Sequence, residues 1–155
     1  MDLRIRGALL ALCRRSAIDG KQLKIELGGR RLLVTVARSP RAVAKGLGGA
    51  PPLDDDHGML FLHGSRREQA YWMRGLTFAL DIVWIEGDHV VAITPEVPPP
   101  GPGTGEQALP VYRSGFPVDK VIEVRGGWTS AYGVGRGAIL RMDPALRLAG
   151  GGKGR

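Results

Sequence analysis

The sequence predicts a mainly β protein, a single compact β-sandwich or barrel-like domain with one or two short helices. Apolar residues occur in short runs rich in β-branched and aromatic side chains, a pattern typical of strands. Two-residue turn sequences separate two pairs of these runs. The 155 residues include 24 Gly and 11 Pro, and no apolar segment has the length and periodicity of a long helix.

We expect three parts along the chain. Residues 1–20 read as an N-terminal extension that is either a short helix or a frayed segment. Residues 21–142 contain all the predicted strands and form the β-rich domain. Residues 143–155 end in glycines and basic residues, a composition typical of a disordered tail.

The first predicted element is a hairpin over residues 23–36, folded around Gly28-Gly29. Glycines supply the positive φ angles that a two-residue hairpin turn requires. This register places Ile25 opposite Leu32, and in the next pair it brings opposite charges together. Turn chemistry, apolar pattern and charge therefore predict the same pairing.

A short helix is predicted after the hairpin. Ser39 has the side chain of an N-cap, and Pro40 suits the first helical position. We expect the helix to continue to about Lys45 and to end at Gly46 or at Gly48-Gly49, because glycine favours the C-terminal cap.

The middle of the chain predicts three strands, over residues 58–62, 69–74 and 80–85, with a polar turn at 64–68. The third run is apolar on both faces after its second residue, as expected for a central strand covered on both sides. Gly87-Asp88 then predicts a second hairpin turn, which would pair Trp84 with Val91 and Ile82 with Ile93.

Residues 94–110 hold six of the 11 prolines and predict a long loop, because proline lacks the donor that a central strand needs. Beyond it we expect a strand over 119–124, a helical turn within 128–134 and a last strand over 137–142.

Charge is distributed unevenly. Residues 1–50 carry a net +8, residues 51–110 a net −6 and residues 111–155 a net +5, for +7 in total. Such a balance favours solubility and weak affinity for polyanions.

Cys13 is the only cysteine, so no internal disulfide can form. The apolar run before it is too short for a secretory signal, and Leu12 does not suit a lipoprotein cleavage site. No run reaches the length of a membrane span. We therefore expect a soluble cytoplasmic protein.

Five short motifs occur in a fixed order, namely Lys45-Gly-Leu47, Gly58-Met-Leu-Phe61, Trp72-Met-Arg74, Leu80-Asp-Ile82 and Ile122-Glu-Val124 with Gly126-Gly127. Together they resemble the uncharacterised family called domain of unknown function 192, over about residues 23–142. The resemblance implies a compact β-sandwich or barrel-like domain with a short helix, and it implies no established activity. Many members are secreted, which opposes the cytoplasmic expectation.

The sequence departs from the family pattern at three places. Ala79 stands where the family usually has proline, Leu76 replaces a polar residue, and Gly137-Ala138 lacks a late Gly-Asp. These differences put a family-wide role for the 75–79 loop in doubt.

Asp81 is the first candidate site residue, because a carboxylate that begins a buried strand must find a partner. Arg74 lies across the loop and offers a charge-assisted hydrogen bond. In one interpretation Asp81 caps loop amides or pairs with Arg74 and only maintains the structure. In the other, these two residues form the polar end of a ligand cleft. The predicted ligand-binding residues are Met59, Phe61, Trp72, Met73, Arg74 and Asp81.

The predicted partner is an unknown small molecule or protein segment, bound by an accessory module rather than a recognised catalyst. Residues 54–57 read as a solvated acidic loop, since their spacing matches neither a zinc nor a calcium site. We predict no metal and no cofactor. No nucleophile and base stand at a recognisable spacing, so enzymatic activity stays undecided.

The alternative function is a basic module that binds nucleic acid or another polyanion. Arginine pairs at 14–15, 30–31 and 66–67 could form a basic face with Tyr71, Trp72 and Trp128 as stacking aromatics. Against this interpretation, the aromatics lie in apolar strands, and the middle of the chain is acidic.

Overall fold

The computed structural model of the chain describes residues 18–143. The predictions for the first 17 residues and for residues 144–155 lie outside this range. Within it, nine strands and two short α-helices follow one another as β1 (Gln22–Leu27), β2 (Arg30–Ala37), α1 (Pro40–Lys45), β3 (His57–Arg67), β4 (Ala70–Tyr71), β5 (Leu80–Glu86), β6 (His89–Val97), β7 (Tyr112–Arg113), β8 (Val118–Arg125), α2 (Trp128–Ala131) and β9 (Leu140–Arg141). A 3₁₀ turn occupies Glu106–Ala108.

Seven of the strands form one sheet in the order β6-β5-β8-β3-β2-β1-β9, while β4 and β7 pair separately. Only β2 and β3 run parallel. The sheet curls into a half-barrel. The segment before β9 forms hydrogen bonds with both ends of this sheet, at β6 and next to β1. Gly137 donates its N–H to the Val90 carbonyl over 2.8 Å, and Gly28 donates to the Ile139 carbonyl over 2.9 Å. The mainly β prediction is confirmed.

Each face of the curled sheet buries its own apolar core. The inner core draws residues from every strand of the sheet and includes Trp128 of α2. The outer core lies on the opposite face, where α1 and residues 70–80 cover Phe61, Trp84 and Val121. Alternation along a strand assigns neighbouring residues to different cores, since successive side chains point to opposite faces.

The first hairpin and the first helix form as predicted. Ile25 pairs with Leu32 across the Gly28-Gly29 turn, and both glycines have positive φ. The Ser39 hydroxyl accepts a hydrogen bond from the Ala42 amide over 3.2 Å, and α1 ends before Gly46.

Four strand predictions had wrong boundaries. The last strand, predicted over 137–142, is reduced to Leu140–Arg141. The predicted turn at 64–68 is mostly the end of β3, which continues to Arg67 through an irregular register against β8. The strand predicted over 69–74 is reduced to Ala70–Tyr71, which pairs with β7 rather than with the main sheet. β6 extends through Pro95 to Val97, which proline permits because β6 is an edge strand.

The register predicted for the second hairpin was also wrong. Trp84 pairs with Ala92 and Ile82 with Thr94, one residue beyond the prediction. A β-bulge after Val90 inserts an extra residue into β6, so the pairing shifts from that point onward. Among the described residues, no helix has the length and apolar character needed to span a membrane.

Candidate functional site

Asp81 lies on the inner face of β5 and is fully buried. One of its oxygens accepts the amides of Glu96 and Gly127, over 2.8 and 2.9 Å. The other accepts the amide and the hydroxyl of Thr129, over 2.8 and 2.6 Å. These four hydrogen bonds tie the bulged edge strand and the start of α2 to the sheet, as in the structural interpretation of this carboxylate.

The pairing of Arg74 with Asp81 does not occur. Arg74 instead forms an ion pair with Glu106, with 2.7 Å between Nη1 and Oε1, and its guanidinium lies 5.4 Å from the Trp72 ring centroid. Both partners of the ion pair are about half exposed. Arg74 pairs with Glu106 because the proline-rich loop places this carboxylate within its reach. The Asp81 oxygens, by contrast, already accept four hydrogen bonds.

A cavity of about 140 Å³ opens on the outer face of the sheet. Its walls come from residues 43–47 at the end of α1, from the segment 69–76, and from the outer faces of β3 and β8. Of the six predicted site residues, Phe61, Trp72 and Arg74 line this cavity. Met59 and Met73 are buried in the outer core beside it, and Asp81 lies on the other side of the sheet.

Glu123 lines the cavity from the centre of the sheet. It pairs with Met59 of β3 on one side and with Ile82 of β5 on the other, and it is only 4% exposed. No described residue donates a hydrogen bond to its carboxyl group or forms an ion pair with it. Burial alone raises the pKa of Glu123 from 4.5 to about 8, because the low-dielectric surroundings disfavour the charged form.

His63 and Tyr71 form the aromatic part of the cavity together with Phe61. The His63 Nε2 atom lies 2.9 Å from the Tyr71 hydroxyl, and the Tyr71 ring packs edge-on against Phe61 at 5.0 Å between centroids. Burial, aided by the charge of Arg67, lowers the pKa of His63 to about 4. Burial and then the nearby Glu123 raise the pKa of the Tyr71 hydroxyl, so it keeps its proton.

Gln69 adds a hydrogen-bonding group with no partner. Its backbone is held by Ser114, whose hydroxyl accepts the Gln69 amide over 3.0 Å. The side-chain Nε2 atom, however, is buried without a hydrogen bond to any residue that the structure describes. Since buried polar groups are nearly always satisfied, an unpaired amide that lines a cavity indicates a group able to meet a ligand or a water molecule.

The cavity interior is therefore uncharged at neutral pH. His63 is neutral, Tyr71 is protonated, and Glu123 retains its proton up to about pH 8. The interior offers hydrogen bonds from the Glu123 carboxyl and the Gln69 amide beside aromatic walls. Positive charge is confined to the mouth, where Lys45 and Arg74 lie.

Sequence reasoning missed Gln69, His63, Tyr71 and Glu123 as site residues. A signal for Glu123 was present in the sequence. This residue follows Val121 and Ile122 in a strand whose two faces are both apolar. A carboxylate in that position faces a covered surface, as Asp81 does. Which of the two carboxylates finds donors depends on distant loops, so the strand pattern could not distinguish them.

No set of three acidic, histidine or cysteine side chains within residues 18–143 is arranged to hold a metal ion. The acidic loop at 54–57 is used structurally. Arg125 forms an ion pair with Asp55, and the Trp128 indole donates to the Asp55 carbonyl over 2.8 Å.

A curled β half-barrel with a covered outer face and a small aromatic cavity defines this protein as a compact β domain with a ligand-sized pocket. The model of the DUF192 family, described as "uncharacterized ACR", matches residues 23–142, and the chain belongs to this family. The resemblance read from the five motifs is thus confirmed.

Five solved chains are similar to this one, and two of them illustrate the likeness. One is a protein from Sinorhizobium meliloti 1021 described as a "putative transcription regulator", with a TM-score of 0.71 and 26% identity over 81% of this chain and 96% of that one. The other is a protein of unknown function from Novosphingobium aromaticivorans DSM 12444, with a TM-score of 0.70 and 23% identity over 77% and 84%. None of the curated proteins matches the chain.

Proposed function

We propose that this domain is a binding module that takes a small molecule into the outer-face cavity. The observation that supports this function best is the presence of two polar groups in one aromatic cavity, the Gln69 Nε2 atom, which is buried without a partner, and the Glu123 carboxyl, which has no donor among the described residues. A fold that needed these groups only for stability would satisfy them, because an unpaired buried polar group costs about 1–3 kcal/mol.

The size of the cavity sets the size of the buried part of the ligand. A volume of about 140 Å³ is comparable to the engineered cavities of roughly 150 Å³ that bind benzene. Phe61 and Tyr71 provide flat apolar walls for such a ring. The ring would carry an uncharged polar substituent directed at Glu123 or Gln69, since burying a charge without a partner is costly.

A bulky residue at the cavity mouth tests the proposal. Ala44 is exposed on α1 and lines the cavity, so Ala44→Trp adds a ring at the mouth at a small cost in helix propensity. Ala131 is exposed on α2 and does not line the cavity, so Ala131→Trp is the matched control. We expect phenol and 4-hydroxybenzamide to shift the amide NMR signals of Gly46 and Ala70 in the unmodified protein.

The same shifts should occur in Ala131→Trp, and affinity should fall at least about tenfold in Ala44→Trp, which corresponds to about 1.4 kcal/mol. The proposal fails if neither probe shifts these signals, or if Ala44→Trp binds as the unmodified protein does.

Polyanion binding is the second candidate function. It is supported by the net charge of +7 and by the description of the Sinorhizobium meliloti protein. Tyr71 and Trp128 are buried, which leaves Trp72, 39% exposed, as the stacking surface of the three aromatics considered. Single-stranded DNA should then bind with an affinity that falls steeply with salt and is weakened by Trp72→Ala, measured by fluorescence anisotropy. Equal affinity in the variant would exclude stacking at Trp72.

A further inference from the structure

A groove of about 390 Å³ lies directly outside the mouth of the cavity. The two share Ala44, Lys45 and Arg74 in their walls, so the groove adjoins the cavity, and we refer to both together as the depression. Arg41 completes the groove, which therefore presents three cationic side chains and no acidic one in its lining. We call these three side chains the cationic rim.

Close contact between two loops brings the cationic rim together. The Gly49 amide donates to the Gly75 carbonyl over 2.9 Å, and Gly75 has a φ of +71°. A Cβ atom on Gly48 would lie 3.1 Å from the Arg74 carbonyl oxygen, so only glycine permits this approach without displacement. Arg41 and Lys45 on α1 thus face the same groove as Arg74 on the neighbouring loop.

The cationic rim is poorly neutralised. Neither Arg41 nor Lys45 forms an ion pair with a carboxylate within residues 18–143. Arg74 has Glu106, but that pair is about half exposed, and solvent-exposed ion pairs contribute little. An incoming anion could therefore replace Glu106 on Arg74 at little cost.

Provided that the cavity takes a ligand as proposed above, we infer that the ligand is an organic anion, with an uncharged ring in the cavity and a carboxylate or phosphate on the cationic rim. The cavity and the groove favour different parts of a ligand. The interior excludes charge because its polar groups are neutral and buried, while the rim gathers positive charge within reach of a substituent on the ring. A molecule with one apolar and one anionic end satisfies both.

Calorimetric titration with three probes tests this inference. 4-Hydroxybenzoate carries a carboxylate, phenyl phosphate carries a phosphate, and 4-hydroxybenzamide is the uncharged isostere of the first. We expect at least one anion to bind about tenfold tighter than the amide, with the preferred anion identifying the natural group. That preference should shrink as salt is raised, because the rim is exposed.

Variants of the rim sharpen the test. Arg74→Gln should lower the affinity for the preferred anion about tenfold and should weaken 4-hydroxybenzamide by much less. Glu106→Gln should raise the affinity for the anion a few-fold, because it frees Arg74. Arg66→Gln is the matched control, since Arg66 is exposed and ion-paired with Glu86 but does not line the groove.

The outcomes separate the two proposals. If the amide binds as tightly as both anions, or Arg74→Gln has no more effect than Arg66→Gln, the inference about the anion is overturned while the cavity function stands. If none of the three probes binds in a manner sensitive to Ala44→Trp, the cavity function fails and the inference fails with it.

Discussion

Asp81 and Glu123 are buried carboxyl groups on neighbouring strands, one residue apart in register, and they face opposite sides of the same sheet. Asp81, on the inner face, accepts four hydrogen bonds from a bulged strand and a helix start. Glu123, on the outer face, receives none from the described residues and borders a cavity. Both carboxyl groups are buried, so they differ in the number of hydrogen-bond donors that surround them.

This comparison distinguishes a carboxylate that stabilises the fold from one that is available to a ligand. The donors around Asp81 come from Glu96 in the irregular part of β6, and from Gly127 and Thr129 at the N-cap and in the first turn of α2, where backbone amides have no partner within the helix. Around Glu123 the neighbours are apolar side chains of β3 and β5. A group left unsatisfied at the centre of a sheet weakens the fold, and the binding role that we propose would account for its presence.

Removing the charge of Asp81 should have the largest effect on stability. In Asp81→Asn an amide N–H₂ replaces an oxygen that accepts either two backbone amides or the amide and hydroxyl of Thr129, so at least one hydrogen bond becomes a donor-donor contact. We expect the free energy of unfolding in urea to fall by about 3 kcal/mol. Asp119→Asn is the control, because Asp119 accepts the Gly87 amide and pairs with Lys120 near the surface. Its expected loss is under about 1 kcal/mol, and equal losses would contradict the role given to Asp81.

The next largest effect concerns Glu123 and depends on pH. The unfolded carboxyl releases its proton near pH 4.5, whereas the folded one keeps it until about pH 8. Between these values the folded state binds the extra proton, so the free energy of unfolding decreases as pH rises. Glu123→Gln has no such proton, and from pH 6 to pH 8 its stability relative to the unmodified protein should rise by about 2 kcal/mol. A difference independent of pH would show that Glu123 is already ionised at pH 6.

The smallest effect on stability is expected at His63. Here the free energy of unfolding decreases as pH falls, whereas for Glu123 it decreases as pH rises. Its pKa falls from 6.5 to about 4, so below pH 6.5 the unfolded state binds a proton that the folded state does not. Stability is therefore lost as pH falls from 6.5 to 4. His63→Gln should remove about 1 kcal/mol of that loss, a value reduced because His63 is partly exposed. Unfolding curves at pH 5 and pH 6.5 measure it, and parallel losses in both proteins would contradict it.

The parts of the fold that depend on local chemistry could be predicted from the sequence. Gly28-Gly29 and Ser39-Pro40 specify a turn and a helix start through their own backbone preferences, and both were placed correctly. The central position of β5 followed from its apolar character on both faces. The bulge in β6 and the extension of β3 to Arg67 were missed, because they depend on the distant strands with which these segments pair.

The candidate site was only partly predictable for the same reason. Phe61, Trp72 and Arg74 line one cavity, whereas the other three residues of the predicted site do not, and ligand binding by any of the six stays a prediction. Asp81 was selected because its place in the sequence suggested burial, but its donors lie 15 to 48 residues away. Glu123 was overlooked although the strand pattern also buries it. Only the assembled sheet shows which carboxyl group is already satisfied.

The most direct test of this account is the pKa of the Glu123 side chain, read from its ¹³C carboxyl signal in glutamate-labelled protein between pH 4 and pH 9. The signal is assigned by its absence in Glu123→Gln. We predict a midpoint of about 8, because burial at the centre of the sheet disfavours the charged form of the carboxyl group. A midpoint at the ordinary 4.5 would mean that Glu123 has water or donors around it, and it would contradict both the uncharged interior and the ligand chemistry inferred from it.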